Sequence, residues 1–353
     1  MPNFYDNWLG MWDRAEAERR ESRRNIHDEE LDWVETTQDH KAALLVSPET
    51  GFRTWGTTSM IAEIPPGHHT GAHKHGEEAI FILSGSGFSV IDDIRYDWRE
   101  HSAVLVPFGS VHQHFNTGDT PVRYLAVLAP HLEFYAGLHR TIQVAPRGKT
   151  ESEPAVETSP EGMNPNGVDR VVLHRDNATV KRAEGDGVPV IGMTMPDFDP
   201  EHPLVMGSVE GADSLPPGFH KAEVLQYMRI NSNRNDFHPH EVEISGLLTD
   251  PPYEYGGMHA HMEAHLYILQ GEGYSLVNGE KVPWKPGTAL HVPGPQTPHR
   301  HVNESGVPAT MVRMAFGVRY FFEKVAKREF PYLYLEPRQA VVERNTNVSR
   351  SGR

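Results

Sequence analysis

His73-Lys74-His75-Gly76-Glu77-Glu78, followed past a Pro107-Phe108-Gly109 turn by His112, brings together residue types that bind metal ions. Two imidazoles one residue apart, a carboxylate at Glu78 and a third imidazole downstream can together hold a divalent cation. The pattern recurs. His259-Ala260-His261-Met262-Glu263-Ala264, then Pro293 through His299, repeats it with nearly the same internal spacing. A single pair of histidines in a strand is ordinarily surface or hydrogen-bonded core. Two sets with matched spacing, each with a Pro-Gly turn, favour metal instead. His114 and His301 each lie two residues beyond the third histidine of their set. On a strand they share its face, where they can donate hydrogen bonds to the site or act as acid or base.

Such residues need a scaffold that turns them inward. In a strand, residues i and i+2 face one side, so His73 and His75 point together with Lys74 opposite. His259 and His261 share a face in the same way. The third histidine must then come from a neighbouring strand. Asp92-Asp93 and Asn278-Gly279 are hairpin turns that make this closure possible, and Asn-Gly is the stronger signal.

From 41 to 145 the apolar pattern has a period of two, in short β-branched and aromatic runs such as Ala79-Ile80-Phe81-Ile82-Leu83 and Val122-Arg123-Tyr124-Leu125-Ala126-Val127-Leu128. Gly, Pro, Asp and Asn punctuate them. Similar runs return from 222 to 337. Evenly spaced short strands indicate an all-β sandwich or barrel, here duplicated. Residues 1–40 begin with a charge-dense helical arm, read as a solvated surface helix or an oligomer-clasping element. The polar, Pro/Gly-rich stretch 146–221 is too long to be structureless in a compact protein and is expected to wrap a barrel with one or two short strands. Residues 338–353 form a tail, and 318–325 a last strand or helix.

Composition narrows the function. The 353 residues suffice for two domains, and 31 glycines with 28 prolines suit a turn-rich β chain. A net charge of −15 leaves no basic surplus for nucleic acid or an anionic membrane. No apolar run reaches the length of a membrane span. The start of the chain lacks a signal peptide's pattern. With no cysteine there is no disulfide, thiolate nucleophile or iron–sulfur cluster. A cytoplasmic, homo-oligomeric enzyme is the expectation.

The two halves of the first pattern resemble the two motifs of the cupin superfamily. The first motif runs from Gly71 through His73, His75 and Glu78 to Gly85; the second from Pro107 through Gly109 and His112 to Asn116. The resemblance implies a bicupin: two jelly-roll β-barrels, each with a metal inside its mouth. The C-terminal copy departs twice. Ala264 occupies the glutamate position, with Glu263 and His265 flanking it and facing the other way. Its second motif is one residue longer, and Asn303 makes His299 the counterpart of His112. The implied ligands are therefore His73, His75, Glu78 and His112 in one barrel and His259, His261 and His299 in the other. Tyr124 and Arg313 lie on late strands that can floor the pockets.

Among bicupins the chain is most similar to ring-cleaving dioxygenases of the gentisate and salicylate type, through His112-Gln113-His114-Phe115-Asn116 and His299-Arg300-His301-Val302-Asn303. This implies a dioxygenase using Fe(II) on a small hydroxylated aromatic compound and O2. Imidazole and carboxylate ligands without thiolate favour Fe(II), with Mn(II), Ni(II) or Zn(II) as alternatives. Glu78 departs from the gentisate type, which generally uses three histidines. It leaves open a quercetinase- or oxalate-decarboxylase-like bicupin, a metal-dependent isomerase or lyase, and, last, a non-catalytic binding bicupin.

Overall fold

A computed structural model describes residues 3–137, 140–182, 223–229, 234–253, 263–294 and 297–316. His259, His261, most of the stretch 146–221 beyond Arg182, the element expected over 318–325 and the tail lie outside these residues.

Helices α1 (Phe4–Leu9) and α2 (Met11–Glu21) open the chain. The arm's α-helices end there; residues 22–40 carry a short strand, Asn25–His27, and a 3-10 turn, Asp28–Glu30. Strand β1 (Asn25–His27) pairs with a strand of the C-terminal barrel, and Asp28 accepts hydrogen bonds from the Tyr267 hydroxyl at 3.0 and 3.1 Å. This part of the arm is built into its own chain.

The N-terminal barrel follows: β2 (Lys41–Leu44), β3 (Thr58–Ile64), β4 (His68–His69), β5 (Ala72–Lys74), β6 (Glu78–Ser84), β7 (Ser86–Ile91), β8 (Ile94–Arg99), β9 (Ala103–Val106), β10 (His112–Asn116) and β11 (Val122–Leu128). Helix α3 (Pro130–Ala136) closes it, with proline in its first turn and Gly137 left-handed at its end. The stretch beyond wraps the barrel with short strands: β12 (Ile142–Ala145) on β5, β13 (Gly148–Lys149) on β4, β14 (Glu157–Thr158) on β8 and β15 (Val172–Leu173) on β9. Next come β16 (Thr179–Arg182), β17 (Glu223–Gln226), β18 (Val242–Asp250), β19 (Ala264–Gln270), β20 (Gly273–Val277), β21 (Glu280–Trp284), β22 (Thr288–Val292), β23 (His299–Asn303) and β24 (Ala309–Phe316).

Each barrel is two facing sheets. In the N-terminal one the orders are β15-β9-β6-β11-β3-β2 and β12-β5-β10-β7-β8-β14. In the C-terminal one they are β1-β22-β19-β24-β18-β17-β16 and β21-β20-β23. Both two-residue hairpins have positive φ at both central positions: 47° and 64° at Asp92-Asp93, 50° and 80° at Asn278-Gly279. That conformation matches the strand twist.

Strand β6 shows why its sequence is an unbroken apolar run. Ile80 and Ile82 fill the N-terminal barrel with Val104, Val106 and Ala126. Phe81, on the other face, joins Leu125, Val127, Ile244, Tyr267, Val312 and Met314 in a core shared by both barrels. A sheet buried on both faces has no polar side. The C-terminal barrel has its own filling, including Ala264, Leu266, Trp284 and Met311.

Candidate metal centre

His73 (β5) and His112 (β10) are directly paired across their sheet. His75 lies just past β5, and Glu78 begins β6 in the opposite sheet. The four side chains therefore converge from both sheets at one end of the barrel. The imidazole centroids of His73, His75 and His112 lie 4.4 to 4.8 Å apart. Glu78 Oε2 lies 3.5 Å from His75 Nε2 and 3.3 Å from His112 Nε2. All four donor atoms fall within 4.8 Å of one another. The Pro107–Gly109 turn helps set this up: Gly109 has φ 72° and its N–H donates to the His75 carbonyl at 2.8 Å.

The donor set fits a divalent ion. His75 Nε2, Glu78 Oε2 and His112 Nε2 are buried and form no hydrogen bond. Such orphaned atoms are costly unless an ion satisfies them. His112 Nδ1 meets the Ser110 carbonyl at 3.0 Å, so it carries the proton and the Nε2 lone pair faces the centre. Burial, then His112 and His75, pull the His73 imidazole down to about 2, keeping it neutral. Burial pushes Glu78 up, but the facing His112 and His75 imidazoles outweigh that and hold it well below the ordinary range. A neutral His73 and an ionised Glu78 are states a metal requires. Burial lowers His75, but Glu78 beside it outweighs that and raises it, so a bound cation has to displace its proton.

His114 points into the same pocket. Its Nδ1 lies 2.7 Å from Ser89 Oγ, and Ser89 Oγ accepts the indole N–H of Trp98 at 2.9 Å. The C-terminal barrel repeats the relay: His301 Nδ1 to Ser275 Oγ at 2.7 Å, with the Trp284 indole donating at 3.1 Å. Ser–Trp spacing is nine residues in both copies. Sequence reading missed these serines and tryptophans. Comparing the two halves position by position would have found them.

Further groups complete the N-terminal pocket. Asp39 accepts the Tyr124 hydroxyl at 3.3 Å, and burial, then Glu78, raise it to about 6. Glu133 of α3 accepts the Gly76 N–H at 3.1 Å. A Cβ at Gly76 would overlap that carboxyl, so a larger residue there would displace the Glu133 side chain. Nothing in the sequence pattern pointed to Asp39 or Glu133, because neither lies on a barrel strand.

In the C-terminal barrel Ala264 stands where Glu78 stands. Glu78 pairs with Val106 and Leu128, Ala264 with Val292 and Ala315. His299 is buried, and its Nδ1 meets the Thr297 carbonyl at 2.9 Å, as His112 meets Ser110. Arg313, on one of the late strands that can floor the pockets, is on the inner face of this barrel. Its guanidinium donates to Ser245 Oγ at 3.0 Å and lies 3.9 Å from Glu243. Register accounts for this: Arg313 is flanked at i−2 and i+2 by the core residues Met311 and Ala315.

Glu263 and His265 face the shared core rather than the C-terminal barrel. With His291 they form a second buried group with metal-ligand chemistry. Here, however, the carboxylate is already satisfied. It accepts the Trp55 N–H at 3.0 Å and the Thr57 hydroxyl at 2.6 Å, and lies 2.7 Å from His291 Nε2. This polar network ties the β3 entrance to the C-terminal sheet.

The cupin domain pattern is matched twice, by residues 60–128 and 246–314. The chain is therefore a bicupin, mostly β, with two jelly-roll domains. It is similar to the gentisate 1,2-dioxygenase of Haloferax sp, 22% identical over 282 residues, covering 72% of this chain and 71% of that protein. Protein SchB of Streptomyces halstedii is 28% identical over 124 residues, 34% of this chain and 80% of the relative. Among solved structures, the salicylate 1,2-dioxygenase from Pseudaminobacter salicylatoxidans superposes with a TM-score of 0.54 at 14% identity, covering 81% of this chain and 78% of that one. A Bacillus subtilis oxalate decarboxylase gives 0.54 at 13%, covering 83% and 77%. At these identities the structural likeness establishes the fold.

Proposed function

We propose that this bicupin is an Fe(II)-dependent dioxygenase that opens the ring of a small hydroxylated aromatic compound. His73, His75, Glu78 and His112 hold the iron. The observation that carries this reading is the set of buried, orphaned donor atoms beneath a pocket of about 250 Å3, a volume suited to one small ring. The similarity to a gentisate 1,2-dioxygenase over most of the chain supports the reaction class. Bound ferrous iron supplies open coordination positions and the electrons that let dioxygen react with an electron-rich ring.

The chain's own residues bind and orient. Ser89 is buried and takes the Trp98 N–H, so its own proton goes to His114 Nδ1. His114 then presents Nε2–H to the pocket, a fixed neutral donor for a ligand oxygen. Burial, then His112, pull His114 down to about 3, so it donates a hydrogen bond and does not shuttle a proton near neutrality. His301, held the same way, is the C-terminal counterpart. His259, His261 and His299 are proposed as a second three-histidine site. Tyr124 and the barrel's apolar filling keep water from the floor of the pocket.

Glu78 favours a second reading, a decarboxylase-like bicupin, which shares the three-histidine-plus-carboxylate set by resemblance. Ferrous reconstitution under anaerobic conditions, then oxygen uptake with hydroxybenzoates, catechols and hydroquinones, separates the two. Oxygen consumption with a ring-opened product supports the dioxygenase. Zinc in the native protein and no uptake with any of these compounds would sink it.

A further inference from the structure

The wall of the N-terminal pocket has one sign of charge. Asp39, Glu49 and Glu133 line it together with Glu78, and no lysine or arginine is among its described lining residues. Nearby basic groups are engaged elsewhere. Arg147 donates to Glu35 at 2.6 Å and to the Thr36 carbonyl at 2.8 Å, and Lys41 pairs with Glu63 at 2.9 Å. A divalent ion balanced by Glu78 leaves one net positive charge against the remaining acids. Glu49 lies 2.9 Å from His131 Nε2, and Glu133 is hydrogen-bonded to the buried Glu241. Among the described residues Asp39 has no cationic partner within ion-pair distance, and the charge of Arg147 is the least of the causes acting on its ionisation. It accepts from the Tyr124 and Thr36 hydroxyls, each at 3.3 Å, and keeps acceptor capacity on the pocket side.

A ligand carboxylate here would meet like charges in a low-dielectric cavity and find no guanidinium or ammonium to receive it. A ring hydroxyl meets the opposite situation: acidic acceptors for its proton, and the His114 Nε2–H for its oxygen. The C-terminal barrel differs in sign, with Arg313 on its inner face and Arg229 lying 3.9 Å from the same Glu243.

We propose that the N-terminal barrel takes a neutral dihydroxylated ring of the catechol or hydroquinone class and discriminates against the corresponding aromatic acids, with Asp39 accepting a hydrogen bond from a ring hydroxyl. This deepens the ring-cleaving reading above and rests on it for the choice of an aromatic ligand.

Zinc-loaded protein, which binds without turnover, is titrated calorimetrically with two matched pairs: catechol against 2,3-dihydroxybenzoate, and hydroquinone against gentisate. Members of a pair differ by one carboxylate. The neutral member is expected to bind at least about tenfold more tightly. Asp39→Asn, its fold checked by thermal midpoint, is expected to narrow that ratio several-fold. If it does not fold, Glu49→Gln is read in its place and is expected to narrow the ratio in the same direction. Acids binding as tightly as the neutral rings, no binding by any of the four, or a ratio unmoved in the folded variant overturns the proposal. Oxygen uptake by the ferrous protein is measured separately. Neutral preference without ring opening removes the dioxygenase reading and leaves this inference standing. Preferential turnover of gentisate does the reverse.

Discussion

The contrast between Glu78 and Ala264 sets the chemistry at the scale of single residues. Both head the same strand of their barrel and pair with the corresponding two strands, yet one offers a carboxylate and the other a methyl group. The complete site is therefore expected to carry the reaction. His112→Ala should lower bound metal by about one equivalent per chain by elemental analysis and remove nearly all turnover, because a direct ligand is lost. His299→Ala should leave most oxygen uptake in place. If His299→Ala silences the enzyme and His112→Ala does not, the reaction belongs to the other barrel. Asp39 and Glu133 show that a pocket's character can lie off the ligand motif: one precedes β2, the other sits on α3.

Small relays decide orientation at the scale of elements. The hairpin β7–β8 carries Ser89 and Trp98, and β10 carries His114. Their hydrogen bonds fix which imidazole nitrogen bears the proton. Ser89→Ala frees the ring and leaves the Trp98 N–H unmatched. Turnover should fall by roughly 10- to 100-fold, as for other residues that orient a site, with about 1–2 kcal/mol of stability lost. Steady-state kinetics and denaturant unfolding measure the two. Ser275→Ala should lose similar stability and little turnover, because its relay serves the barrel lacking the carboxylate. The closing asparagines of both second motifs are also structural: Asn116 donates to the Ile64 and Thr120 carbonyls, Asn303 to those of Pro251 and Val307.

At the scale of the whole molecule the barrels are joined by one apolar core and by carboxylates. Glu77, fully inside, accepts backbone N–H groups from His240, Glu241 and Val242 at 2.7 to 3.1 Å. Glu77→Ala strands these donors and should cost about 3 kcal/mol or more, seen as a lower denaturant midpoint. The shared core predicts that this loss appears in one cooperative transition rather than in one barrel alone. The Glu133–Glu241 pair adds a pH dependence. Burial, then Glu133, push Glu241 far above its ordinary 4.5. The folded protein thus holds a proton that the unfolded chain releases above that value. Stability is fullest below 4.5 and declines as pH rises towards the folded pKa. Between about pH 5 and pH 9, with chelator present, the thermal midpoint should fall in the parent and fall less in Glu241→Gln. An equal slope in both would refute the assignment.

Much of this was legible in the chain itself. Period-two runs and the Asp92-Asp93 and Asn278-Gly279 turns point to two barrels, and the first His-x-His pattern with Glu78 and His112 to four converging donors, because strand geometry forces alternate residues onto one face. The substitution of Ala264 for a carboxylate, and the outward turn of Glu263 and His265, were equally readable from that alternation. What lay beyond the sequence depends on contacts between residues far apart in it. The extension of the arm into β1, the shared core, the Glu77 clamp and the placement of Asp39 and Glu133 over the metal site follow no local periodicity. Sequence by itself determined which side chains could hold a metal, since that is a matter of residue type and strand parity. Only the tertiary structure decided the charge of the space above them, because burial and cross-chain packing choose which acids line it.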